Sequence, residues 1–130
     1  MRESNQLICE KLQITNDLNQ VYCDIFDGFM NQNIGQKIDY ISIFTGLNDI
    51  KFRLNQEIKK CKCISTENNE KAKNIITALM NYQKLFNIRI NTLINIVTKL
   101  HNKAECTGKK YSIFTYKSDL KSLNKLENQN

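Results

Sequence analysis

The residues of this chain with the strongest potential for chemistry are three cysteines and its single histidine. Cys61, Cys63, His101 and Cys106 together have the composition of a Cys₃His zinc site. The spacing argues against such a site, because a helix over residues 72–104 would be about 50 Å long at 1.5 Å per residue and would separate the two pairs. The Cys-x-Cys spacing also differs from that of structural zinc sites. We therefore predict no metal site and no cofactor.

Other catalytic arrangements are missing from the sequence. One histidine cannot form a His pair, and there is no Gly-rich phosphate loop, no G-x-S-x-G and no C-x-x-C. The carboxylates of the second half do not pair at a helical spacing suited to acid–base work. We predict a non-enzymatic protein.

The cysteines and the start of the chain indicate a cytoplasmic protein. The five cysteines are odd in number and no signal peptide precedes them, so we expect reduced thiols. Cys9 and Cys23 lie in an apolar helical pattern and are predicted to be small core residues. No stretch approaches the roughly 20 apolar residues of a membrane span, so membrane insertion is not expected.

The charge of the chain is divided unevenly between its two parts. The net charge is +6, with three basic and seven acidic groups in residues 1–50 and sixteen basic and six acidic groups in residues 51–130. A basic half can attract phosphate backbones or an acidic protein surface. Only three arginines are present and no nucleic-acid-binding motif occurs, so a solvated helical face is the simpler interpretation.

Apolar residues recur at helical spacing along most of the chain and predict three long amphipathic helices. The first stripe runs from Ile14 to Phe29 and the second from Ile38 to Cys61, with Gly46 at a kink or a close helix contact. Ser65 or Thr66 is expected to cap the third helix. The members of the third stripe are Ala72, Ile76, Leu79, Tyr82 or Gln83, Phe86, Ile90, Leu93, Val97, Leu100 and Ala104.

These stripes predict an all-α fold, an elongated antiparallel bundle or coiled-coil hairpin of three helices over residues 1–108. Residues 109–130 form a partly extended C-terminal tail, in which Ser118 and Asp119 could cap a short helix over 118–127. The tail either packs its aromatic residues on the end of the bundle or docks on a partner. A bundle of only three helices is thin, so we expect apolar surface to remain for a partner.

Four segments in order along the chain resemble the FlgN-type flagellar export chaperones. They are Asn16-Asp17-Leu18, the run from Leu47 to Leu54 with its embedded Lys51, the run from Asn87 to Ile94, and Thr115-Tyr116-Lys117-Ser118-Asp119. The last is similar to the tail signature of the family, although Lys117 and Leu120 stand where the family has glycines.

The resemblance implies a non-catalytic, ATP-independent chaperone that escorts hook–filament junction proteins to the export apparatus of type III secretion. Carried over by position, the cargo groove lies on the third helix and a tail tyrosine docks on an export-apparatus component. The implied partner-binding residues are Phe86, Ile90, Leu93, Ile94, Val97, Leu100, Tyr116 and, less directly, Tyr111. This interpretation requires that the ridge from Phe86 to Leu100 is not sealed by the chain itself.

Two other classes of function fit the same patterns. A structural coiled-coil protein would satisfy its stripes by forming a homodimer through residues 86–100. A small basic helical protein would bind nucleic acid through the +10 half of the chain, with an affinity that falls steeply with salt. We rank the chaperone first, the structural protein second and nucleic-acid binding third.

Overall fold

Within the residues that the structure describes, the fold consists of three α-helices, which confirms the all-α prediction. The computed structural model describes residues 4–31, 39–66 and 69–107. Helix α1 covers Ser4–Met30, α2 covers Tyr40–Lys62 and α3 covers Glu70–Thr107. The predicted tail over 109–130 lies outside the described residues. None of the helices in the described ranges is long and apolar enough to cross a membrane.

Side-chain caps fix the starts of α2 and α3. The Asp39 carboxylate accepts hydrogen bonds from the backbone N–H of Ser42 at 3.1 Å and from its hydroxyl at 2.8 Å. At α3, the Asn69 side-chain oxygen accepts the N–H of Ala72 at 3.0 Å. Each cap satisfies an N–H that has no partner within its helix. The expectation that Ser65 or Thr66 caps α3 was therefore wrong.

The two successive helix pairs pack antiparallel, as the stripes predict. Between α1 and α2, Ile8 near the start of α1 packs with Cys61 at the end of α2. Between α2 and α3, the ring of Tyr40 at the start of α2 lies 4.8 Å from the ring of His101 near the end of α3. The half-buried His101 therefore fixes the end of α3 against the beginning of α2.

Helices α1 and α3 run parallel and are joined by contacts along their shared side. The Tyr82 hydroxyl donates to Asn16 Oδ1 at 3.1 Å. Six residues further along α1 and four further along α3, the rings of Tyr22 and Phe86 meet edge to face at 5.7 Å. The Arg89 guanidinium lies 5.1 Å from the centre of the Tyr22 ring, a cation–π distance.

Gly46 is a close helix contact. A Cβ placed on Gly46 would lie 2.8 Å from Cδ1 of Ile25 on α1, inside normal contact distance. The missing side chain thus lets α1 and α2 approach closely at this level. This confirms one of the two roles predicted for the residue.

The buried apolar residues form two clusters. The larger cluster is formed by all three helices: Leu18, Tyr22, Phe29, Ile43, Leu47, Ile50, Leu54, Phe86, Ile90, Leu93, Ile96, Val97 and Leu100. The smaller cluster lies at the α2–α3 turn: Ile8, Cys61, Ala72, Ile76 and Leu79.

A polar layer, formed by Lys11, Thr15, Glu57, Cys61 and Gln83, lies at the junction of the two clusters. The fully buried Gln83 side-chain amide donates to the Thr15 hydroxyl at 3.2 Å and to Cys61 Sγ at 3.4 Å. Beside it, Lys11 Nζ lies 3.2 Å from Glu57 Oε2. All three helices contribute to this layer, so it ties their registers together.

The helical stripes were correct in period but wrong at some of their edges. Ile41, expected to face the core, is 80% exposed, whereas the polar Thr15 is fully buried. Ile14 and Val21 are also exposed, at 37% and 47%. Cys23 is half-buried against the larger cluster, but Cys9 is exposed and is not the core residue that was predicted.

The cap of α3 can be tested by single substitutions. Asn69→Ala should lower the free energy of unfolding by about 0.5–2 kcal/mol, because the Ala72 N–H loses its partner. Thr66→Ala should change it by less than about 0.5 kcal/mol, as expected for a surface substitution that removes no cap. Urea unfolding measures both, and a larger loss for Thr66→Ala would contradict the assignment of the cap.

Candidate partner-binding groove

The ridge predicted to bind cargo lies inside the bundle. Phe86, Ile90, Leu93 and Val97 are 0% exposed and Leu100 is 1% exposed. Ile94 is half-buried and packs against the same core cluster. The expectation that this ridge faces a partner is therefore not met in the folded chain. Tyr111 and Tyr116, the predicted docking tyrosines, lie outside the described residues.

The ridge is sealed because α1 and α2 each cover one of its sides. The cluster that contains the ridge also includes Tyr22 and Phe29 of α1 and Leu47 and Leu54 of α2. These four residues are themselves at most 1% exposed. A homodimer that buries residues 86–100 between copies, as the structural alternative requires, meets the same obstacle. Either kind of partner would have to displace a helix of the chain itself.

An open groove runs along the other side of the α1–α2 pair, and we call it the α1–α2 groove. It contains two depressions, of about 460 and 270 Å³. The lower depression is lined by Ile14, Asp17, Leu18, Val21, Arg53, Gln56 and Glu57. The upper one is lined by Asp24, Ile25, Gly28, Phe29, Asp39, Ser42 and Ile43. No residue of α3 lines either depression.

The floor of the α1–α2 groove is apolar and partly open to solvent. Leu18 and Phe29 form its buried base, while Ile14 and Val21 expose more than a third of their surface. A Cβ on Gly28 would meet no atom within 4 Å, so the upper end of the groove has unfilled space. Exposed apolar side chains beside such space can be buried by another molecule.

The α1 rim of the α1–α2 groove is acidic. Asp17 and Asp24 are exposed, and each accepts a hydrogen bond from a neutral glutamine four residues earlier, at 2.9 and 3.1 Å. Within the described part of the chain, neither carboxylate forms an ion pair. On the α2 rim, Arg53 pairs with Asp49 at 3.2 Å, so these two charges balance each other. The rim therefore carries unbalanced negative charge.

A seven-residue spacing on α1 indicates this groove in the sequence, although the prediction of helical stripes did not use it. Ile14, Val21 and Gly28 follow one another at intervals of seven residues, and so do Asp17 and Asp24. A seven-residue interval keeps residues close to one line along a helix. On α1, the apolar line therefore lies beside the acidic line. The sequence alone does not show that α2 leaves these residues exposed, because this depends on how the two helices pack.

Further apolar side chains are exposed on the outer faces of α2 and α3. Ile41 and Phe52 of α2 are 80% and 63% exposed, and Ile88 of α3 is 50% exposed. Ile41 and Phe52 are separated by eleven residues, about 16 Å along the helix. On α3, Leu85 is also 48% exposed and lies one turn before Ile88. Neither surface has an acidic line beside it like that of the α1–α2 groove.

Cys61, Cys63 and His101, which were considered as zinc ligands and rejected because of their spacing, do not come together. His101 contacts Tyr40 at the start of α2, whereas Cys61 and Cys63 lie at its end, about 33 Å away along the helix. The described residues contain no group of three or more potential metal ligands. The side chain of Cys106 is outside the described part.

Burial raises the pKa of the Cys61 thiol. The nearby Glu57 carboxylate acts in the same direction, while the Gln83 hydrogen bond and Lys11 act against it. A raised pKa leaves less of the thiolate, which is the reactive form of cysteine. Cys61 is therefore a structural residue of the polar layer, in contrast to the exposed Cys9 and Cys63.

Substitution of the ridge tests whether it is core or surface. Leu93→Ala should lower the free energy of unfolding by about 2–5 kcal/mol, because it leaves a cavity among residues that are fully buried. Ile88→Ala on the same helix should cost less than about 1 kcal/mol, since Ile88 is half exposed. Equal, small losses in denaturant unfolding would show that the ridge is open.

Alkylation tests the burial of Cys61. Under native conditions at pH 8, iodoacetamide should modify Cys9 and Cys63 at least about tenfold faster than Cys61, whose thiol is buried and has a raised pKa. Peptide mass spectrometry measures the three rates. In denaturant the rates should converge, and native rates that are already equal would contradict the placement of Cys61.

Comparison of the chain with protein-family models, with curated proteins and with solved structures found no match.

Proposed function

We propose that the protein is a non-catalytic flagellar export chaperone, which binds hook–filament junction proteins in the cytoplasm and escorts them to the export apparatus. The observation that carries the proposal is the open α1–α2 groove, with an apolar floor and an acidic rim. The resemblance of four sequence segments to the FlgN-type chaperones supports the same assignment.

The α1–α2 groove suits the binding of a helical segment of another protein. An amphipathic helix binds such a groove by burying its apolar face on the floor while its polar face stays in water. Ile14 and Val21 provide the exposed apolar surface for this contact. Each Val or Ile that becomes fully buried contributes about 1.5–3 kcal/mol before the costs of ordering are subtracted.

The sequence interpretation required an open ridge on α3, and this requirement fails because the ridge is buried. The proposal therefore keeps the chaperone class but moves the cargo to the α1–α2 pair. Binding at the ridge from Phe86 to Leu100 would first require α1 or α2 to separate from α3. That step would expose the core cluster in which the ridge is buried. The α1–α2 groove needs no such rearrangement, and so it is the better candidate for a chaperone that binds without ATP.

The groove also separates the proposal from nucleic-acid binding. The acidic line of Asp17 and Asp24 would repel a phosphate backbone. Exposed lysines are found at the C-terminal end of α2, where Lys59, Lys60 and Lys62 lie in the last turn. Lys60 is partly neutralised by Glu57, at 3.4 Å. An apolar floor with an acidic rim favours a protein partner over a nucleic acid.

Co-purification with named cargo tests the proposal. The tagged chain is co-expressed with the hook–filament junction proteins encoded in the same genome, and the bound fraction is quantified. Val21→Asp should reduce it at least about tenfold, because a carboxylate would be placed on the apolar floor at a cost of more than about 1.4 kcal/mol.

The matched control is Ile88→Asp, which introduces the same charge at a similarly exposed isoleucine on α3. It should leave cargo binding unchanged, and circular dichroism should show that both variants remain helical. If no junction protein co-purifies with the unmodified chain, the chaperone proposal is wrong. If both variants bind as well as the unmodified chain, the groove is not the cargo site.

A further inference from the structure

We propose that the segment held in the α1–α2 groove is a basic amphipathic helix of about four turns, contributed by the partner protein. This inference rests on the proposed function in one respect, that the groove is where a partner protein binds. It adds the chemical class of the partner segment, which the resemblance does not provide.

The length of the groove sets the length of the helix. From Ile14 to Gly28, the α1 side extends about 21 Å at 1.5 Å per residue, which equals four turns. The α1 residues that line the two depressions are centred about nine positions apart, or about 13 Å. A helix lying along α1 would therefore place two apolar side chains, separated by two to three turns, into the two depressions.

The space at each depression limits what can enter. At the upper end, Gly28 leaves room on α1, and Phe29 and Ile43 form an apolar base. Ile25, which lines the upper depression, lies close to Gly46 of α2, and no residue lines both depressions. The upper depression is thus mainly apolar, whereas the lower one is apolar on its α1 side, at Ile14, Leu18 and Val21, and polar on its α2 side. A pair of Leu- or Ile-sized side chains on one helix face could contact the apolar residues of both.

The charge of the rim selects basic flanks on the partner. Asp17 and Asp24 lie seven residues apart beside the two depressions, and their glutamine partners leave their negative charge in place. Lysine or arginine side chains on the edge of a bound helix that faces α1 could pair with this rim.

The net positive charge of the chain makes the preference for a basic peptide specific to the groove. The chain has a net charge of +6, so a basic peptide is repelled by most of its surface. Non-specific attraction would therefore favour an acidic peptide, and the groove favours a basic one. Binding of a basic helix in preference to an acidic one identifies the groove as its site.

The experiment uses the full chain and three synthetic 16-residue peptides labelled with a fluorophore. One is a Leu/Lys amphipathic helix, the second has Glu in place of every Lys, and the third is a scrambled Leu/Lys peptide without helical period. Fluorescence anisotropy at about 0.1 M salt should show the tightest binding for the first peptide, since salt at this level leaves close charge pairs effective.

Two groove variants and one charge-matched control locate the site. Asp17→Asn with Asp24→Asn should weaken binding of the Leu/Lys helix about threefold to thirtyfold, as expected for two partly exposed ion pairs. Gly28→Leu should weaken it by filling the upper depression, while raising the helix propensity of α1 so that folding is not impaired. Asp27→Asn with Glu70→Gln removes the same charge from positions that do not line the groove and should change nothing.

The inference is overturned if the Glu peptide binds as tightly as the Lys peptide, or if the groove variants bind the Lys peptide as well as the control does. It is also overturned if sedimentation shows a dimer that Gly28→Leu abolishes, because a second copy would then be the occupant. The proposed function fails separately. If junction proteins do not co-purify although the Lys peptide binds in the groove, the chaperone assignment is wrong and the helix class stands.

Discussion

The burial of one apolar stripe of α3 between α1 and α2 is the interaction on which the rest of the structure depends. The stripe from Phe86 to Leu100 is almost entirely removed from water, and its partners on α1 and α2 are drawn inward with it. Among the described residues, α3 covers only one side of the α1–α2 pair, and no residue of α3 lines the depressions on its other side. The same packing that buries the ridge therefore leaves the α1–α2 groove exposed to solvent.

The polar layer determines which residues reach that groove. Gln83 bonds to Thr15 on α1 and to Cys61 on α2, and its own side-chain oxygen has no hydrogen-bond partner among the described residues. Such buried polar contacts cost stability relative to an apolar core but penalise shifted registers. We infer that the layer fixes the rotation of α1, which directs Thr15 inward and leaves its neighbour Ile14 on the groove side.

Much of the fold, but little of the site, could be predicted from the sequence. Helical period and the turn residues predicted three helices, because periodicity depends only on residues close along the chain. The period alone could not predict that Ile41 is exposed and Thr15 is buried. Both residues lie at the border of an apolar stripe, where burial depends on which neighbouring helix covers them. Similarly, Ser65 and Asn69 are both good caps, and only the backbone path selects Asn69. The ridge was apolar as predicted, but its cover comes from residues more than thirty positions away.

The distribution of charge explains how so simple a bundle could select a partner. The described helices provide no deep enclosed pocket, so shape alone offers little discrimination, and exposed apolar side chains bind many apolar surfaces weakly. Discrimination is greater where an apolar floor is bordered by charge opposite to that of the whole molecule, because wrong partners are repelled as well as poorly held. The acidic line on α1, within a chain of net charge +6, has this arrangement. The acidic line therefore belongs to the first fifty residues, whereas the core that presents it is built by all three helices.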